Sequence, residues 1–293
     1  METIGNSNNL FNRERKFLCR LVYSTVFLLL IYDLISSTAL YQLHSPVLIY
    51  PYVDITYILF NLSHAGDIVT GSLILSYCFS IFLFLSCITI IIYPDKRFFI
   101  FSFLILYFFY FLVYNGYGAH HIHSKVGILF ISVPFLFIGN NFMFTWEAVR
   151  YYTLFLYADS FLWKLFRLSW LNNKQGILIM KQNLIPLLYQ HPDNNFSNLY
   201  YFFFNHYFYA DILYRTGFLL EGIFLIGFFT KRFDKFLVII SLLLAIGFLF
   251  MADAFAFELL ILDVTLIYSF RTEELINSFV YSSRAKTGKA LIK

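Results

Sequence analysis

Charge is what this chain has least of. Lys, Arg, Asp and Glu make up 13% of its 293 residues, where a soluble domain carries about a quarter. With 60% hydrophobic and 22% aromatic residues beside so few charges, no water-facing shell can be built around a core of that size. Cysteine is scarce too. Cys19, Cys78 and Cys87 are the only three. Cys78 and Cys87 stand on one predicted helix, on opposite faces and about 13 Å apart along it, too far to pair. Neither a disulfide framework nor a structural zinc site is expected. Walker, HExxH and GxSxG patterns are missing, which removes the commonest nucleotide, metalloprotease and serine-hydrolase chemistries. The net charge of +4 is spread over loops. It reads as membrane orientation and gives no footprint for nucleic acid.

What is present is a succession of apolar runs. They predict an all-α, polytopic membrane bundle of about eight transmembrane helices, because backbone exposed to lipid must satisfy its own hydrogen bonds. The predicted spans are Phe17–Ser37, Val69–Ile92, Phe98–Tyr114, Ser124–Ile138, Trp146–Phe166, Ile212–Phe229, Phe236–Met251 and Phe255–Phe270. The last two come from one apolar block, too long for a single crossing, with its turn at Met251-Ala252-Asp253-Ala254. The basic start, Arg13-Glu14-Arg15-Lys16, imitates a signal peptide. Its apolar stretch is longer than a signal core, so it reads as an uncleaved first span. The whole chain, 1–293, reads as one membrane domain, with an outer interfacial segment over 168–211 and a tail over 271–293.

Basic residues set the orientation. Arg13, Arg15, Lys16 and Arg20, then Lys96 and Arg97, Arg150, Lys231, Arg232 and Lys235, and the basic tail all fall on one side of eight spans. The loop from Ala39 to Ile68 has no Lys or Arg. The positive-inside rule then puts both termini in the cytoplasm of a cell-membrane protein. Lys164, Arg167, Lys174 and Lys181 go against it. Within the outer segment, Gly176–Tyr189 (GILIMKQNLIPLLY) predicts a short interfacial helix broken near Pro186. Tyr200–Tyr209 (YYFFFNHYFY) reads as an aromatic belt or as the wall of an apolar pocket.

This topology gathers polar groups at the outer face: His120, His121 and His123, Asp159 and Lys164, Asp211 and Arg215, Asp253, Asp54 and Asp67. Lys164, beside Trp163 in an apolar helix end, is either an interfacial anchor or, if held neutral, a base. HHIH does not place its ligands on one helix face, so no metal is expected. His123 reads as a proton-transfer partner or a fixed hydrogen-bond donor. Asp159 and Asp253 are possible charge partners. Glu221, Glu258 and Asp263 lie inside spans, where a carboxylate must be paired, protonated or facing water.

Several stretches resemble the HTTM superfamily, the transmembrane domain shared with vitamin K-dependent gamma-carboxylase. His123-Ser124 with Gly127-Ile128-Leu129 is similar to its histidine segment. Leu162-Trp163-Lys164-Leu165 followed by Ser169-Trp170-Leu171 is similar to its lysine segment. Gly217–Phe229 and Phe248–Leu260 resemble later helices. The resemblance implies Lys164 as a catalytic lysine, His123 as its assistant and a quinone-like cofactor or substrate. Leu249 stands near a position where the family commonly has histidine, and the chain ends after the membrane part, so glutamate carboxylation itself is not expected. The expected role is modification or maturation of a secreted peptide, or action on a quinone-like molecule, at the outer face. The competing expectation is a non-enzymatic carrier, immunity protein or scaffold. A cavity shared by His123 and Lys164 favours the first; a continuous polar path favours transport.

Overall fold

The computed structural model describes residues 2–44, 55–117, 125–190, 192, 195–252 and 257–270. The described residues are helical, with no strand among them. Four helices are long and apolar enough to cross a membrane: Asn12–Ile35, Leu73–Ile92, Arg97–Tyr117 and Asp234–Ala252. The chain divides into two compact units, where the sequence reads as a single domain. The first holds the described residues up to Val149 and those from Tyr268 on; the second is Arg150–Ile267.

In the first unit, α1 (Glu2–Ile35) is followed by a 3-10 turn (Gln42–His44), α2 (Ile55–Leu62), α3 (Ala65–Gly71), α4 (Leu73–Ile92) and α5 (Arg97–Tyr117). α6 (Val126–Ser132) then tightens into a 3-10 turn at Val133–Leu136, where Pro134 enters. α1 stops where Ser37 takes a left-handed conformation and the Thr38 amide folds back onto the Asp33 carbonyl. α4 packs on both α1 and α5. The centre is aromatic: the Tyr23 ring meets Phe103 edge-on at 5.1 Å.

The second unit begins inside α7 (Asn140–Phe166). It continues through a 3-10 turn (Ser169–Leu171), α8 (Gln175–Gln190), α9 (Asn195–Asn205) and α10 (Tyr207–Ile223). α10 runs into a 3-10 turn at Phe224–Phe228. α11 (Asp234–Ala252), a 3-10 stretch at Phe257–Asp263 and α12 (Val264–Ile267) follow. Its core is built from Leu154, Tyr157, Phe224, Leu237, Ile240 and Leu244. The Tyr157 ring stacks on Phe224 at 4.1 Å. Gly227 lets the chain close here, since a Cβ at that position would run into Leu154 and Leu237.

Against eight predicted spans, α1, α4, α5 and α11 have the required length and apolarity. α7 is long, at 27 residues, but carries Glu147, Arg150, Asp159 and Lys164. Ser124–Ile138 gives only the short apolar helix Val126–Leu136. Ile212–Phe229 and Phe255–Phe270 contain 3-10 geometry, the second with only a four-residue α-helix. The described residues of 168–211 are largely helical, and α8 runs through Pro186 instead of breaking there. Proline costs a helix one hydrogen bond. Met180, Leu184 and Leu188 on one face of α8 bury against Ala210 and Tyr200 and hold the helix together. Asp54, the three histidines His120, His121 and His123, Asp253 and the tail from 271 lie outside the described residues.

Candidate functional site

Lys164 comes at the end of α7, one helical stripe above Tyr157 and Arg150. Residues seven apart return to nearly the same face of a helix, so all three point into the second unit. Arg150 is fully buried. Its Nε and Nη2 donate to the two oxygens of Asp234 at 2.7 and 2.6 Å, and Nη2 also donates to the Gly227 carbonyl at 3.0 Å. The sequence placed Arg150 as a cytoplasmic flank. It is a buried cross-link between α7 and the start of α11.

Lys164 makes a second cross-link, to α10. Its Nζ donates to Glu221 Oε1 at 2.5 Å. The lysine side chain is a quarter exposed, while Glu221 has no exposed surface. Ser160, one turn before Lys164, stands close to the same carboxylate. Glu221 Oε2 is buried without a hydrogen-bond partner among the described residues. Ser169 donates to the Lys164 carbonyl at 3.3 Å and shares a 2.8 Å hydrogen bond with the Tyr214 hydroxyl. Trp170 stacks on Phe218 in parallel, with 6.0 Å between ring centres. Trp163 points outward instead, with the Arg167 guanidinium 4.2 Å above its ring.

Beside this pair is a cavity of about 210 Å³. Lys164, Glu221, Tyr214 and Thr216 are its polar lining; Leu220, Leu244 and Phe248 are among its apolar lining residues. An apolar hole of about 150 Å³ already holds a benzene ring, so this one takes a single substituted ring or a short length of chain. Tyr200 and Phe203 on α9 pack against Phe250 at 5.4 and 5.5 Å, and Phe250 lines the cavity. The aromatic segment thus supports the wall from behind. Tyr201, Phe202, Tyr207, Phe208 and Tyr209 remain exposed, as a belt at an interface would be.

Asp159 is exposed on α7, five residues before Lys164 and so about 140° around the helix. Among the described residues, the carboxylate paired with Lys164 is Glu221. Asp211 caps α8: its Oδ1 accepts the Gly176 amide at 2.9 Å. Arg215 donates to the Asn173 side chain. Asp211 thus ties α10 to the start of α8, and Arg215 ties it to the loop just before. Asp263 accepts a hydrogen bond from Ser241 on α11.

The first unit holds a buried pair that the sequence does not announce. Lys125 Nζ donates to Asp33 Oδ1 at 2.7 Å, and both side chains are nearly inaccessible. The ammonium also lies over the rings of Tyr114 and Tyr110, at 4.2 and 4.9 Å. A lone Asp and a lone Lys in apolar surroundings were the available signal. No group of three His, Cys, Asp or Glu among the described residues is placed to hold a metal ion. No family model, curated protein or solved structure matches the chain.

Proposed function

We propose that the chain is an integral membrane protein of HTTM type that works through the Lys164 cavity of its second unit. In this reading about eight segments lie in a cell membrane with both termini cytoplasmic, and the cavity faces the outer leaflet. The chemistry is proton transfer on a quinone-like ring or on a group of a secreted peptide. The observation that carries the reading is an ion pair, Lys164 with Glu221, at the wall of an otherwise apolar cavity. An ion pair is costly to keep away from water, and one left open to a cavity is available to a ligand. The lysine would exchange a proton with the bound group. Glu221 fixes its position, and His123 is the second proton carrier the resemblance implies.

A photoreactive azidoquinone tests this on the full chain in lipid nanodiscs. The label should map to peptides of α10 and α11, and excess unmodified quinone should suppress it. Lys164→Arg keeps a cation for Glu221 but stays protonated, and Lys164→Ala removes the amine. Both should abolish the cellular phenotype that depends on the gene while the protein remains inserted. Full function in Lys164→Arg, or labelling indifferent to unmodified quinone, would defeat the reading and leave the carrier, immunity or scaffold role ahead.

A further inference from the structure

The polar end of the cavity is neutral in sum but not in hydrogen bonding. Lys164 and Glu221 carry opposite charges in direct contact. An ionised head group entering beside them would lose its water and find no uncompensated charge to replace it. Yet Glu221 Oε2 is buried and has no partner among the described residues. Ser160 adds a hydroxyl close to this carboxylate, and Oε2 is still left without a partner among those residues. An ammonium has three donors, and Lys164 gives one to Oε1. One acceptor and spare donors therefore stand side by side. A single hydroxyl satisfies both, donating to Oε2 and accepting from Nζ.

The rest of the cavity says how such a molecule arrives. Leu213 of α10 and Leu243 of α11 line it and are 37% and 52% exposed. α11 is one of the four helices suited to a membrane, so this flank faces acyl chains. The same wall carries Gly217 and Gly247. Nothing lies within 4 Å of where a Cβ would stand at either position. Glycine inside a helix costs about 1 kcal/mol relative to alanine, and no close packing here requires it. What the two glycines provide is room.

We propose that the cavity admits, sideways from the bilayer, an uncharged lipid with a free hydroxyl head group, which bridges Lys164 and Glu221. This rests on the cavity being the working site and needs no proton transfer. The test uses the full chain in nanodiscs, with binding read by native mass spectrometry. The probes are 1-dodecanol, dodecanesulfonate and dodecyltrimethylammonium, which share one tail, the alcohol below its solubility limit and the two ions below their micellar concentrations. Dodecanol should bind about tenfold more tightly than either ion, the ratio expected from one hydrogen bond to a charged group. Gly217→Leu and Gly247→Leu should fill the space, raise the melting temperature and lose dodecanol binding. Glu221→Gln leaves Lys164 unbalanced and should turn the preference to the sulfonate. Equal binding of all three probes, or unchanged dodecanol binding in both leucine variants, would overturn the proposal. If those results come with azidoquinone labelling intact, only the lipid proposal falls. If dodecanol selectivity stands while Lys164→Arg is fully active, only the proton-transfer reading falls.

Discussion

Arg150 has a second role that a topology argument does not reveal. A basic residue near a helix end is normally counted as a cytoplasmic flank, yet this guanidinium has no exposed surface and is held by Asp234. The spacing that points to this role is in the sequence. Arg150, Tyr157 and Lys164 recur every seven residues, so a stripe of α7 carries all three inward. Removing one member of such a pair strands the other. Arg150→Met should lower stability by about 3 kcal/mol, whereas the double variant Arg150→Met with Asp234→Leu should recover most of the loss. Thermal unfolding in detergent, followed by tryptophan fluorescence, measures both. Glu221 was recognisable as a carboxylate in need of a partner. The identity of that partner, 57 residues away, was not, because neighbours in a bundle are set by packing that local pattern does not encode. The same holds for Asp33 and Lys125.

At the scale of elements, apolar length was the legible property and continuity was not. Four helices follow directly from their runs. α8 was visible as a helix, but its passage through Pro186 depends on a buried face that sequence alone does not reveal. Its attachment depends on two close contacts. Asp211 accepts the Gly176 amide, and a side chain at 176 would collide with the Ala210 carbonyl. Asp211→Ala should therefore cost about 1 kcal/mol, as loss of a helix cap does. Gly176→Ala should cost more, although alanine is the better helix former. Hydrogen exchange along 175–190 reads both; faster exchange confined to this helix is expected, strongest in the Gly176 variant. Unchanged exchange in both would mean that α8 is held by its apolar face alone.

For the whole molecule, charge distribution gave an orientation that labelling can decide. With Cys19, Cys78 and Cys87 replaced by serine, a cysteine at 54 should react with an impermeant maleimide from outside intact cells, and one at 232 only after the membrane is opened. The reverse pattern would invert the molecule and place the Lys164 end of α7 in the cytoplasm. The division into two units was not legible. It falls in the middle of α7, between Val149 and Arg150, with no break in composition, no glycine or proline and no linker to announce it.

The 3-10 segments have a consequence for the surrounding lipid. A 3-10 coil rises about 2.0 Å per residue against 1.5 Å for an α-helix. Five such residues at Phe224–Phe228 lengthen α10 to about 35 Å, enough to traverse a hydrocarbon layer of about 30 Å that its α-helical part falls short of. The same device does not rescue the other two. Among the described residues, Val126–Leu136 reaches about 18 Å and Phe257–Ile267 about 20 Å. In the eight-span arrangement proposed above, the bilayer around those two elements would have to pinch, or headgroups and water dip inward to meet the helix ends. That arrangement predicts a thickness mismatch, so short-chain lipids should suit the protein better than long ones.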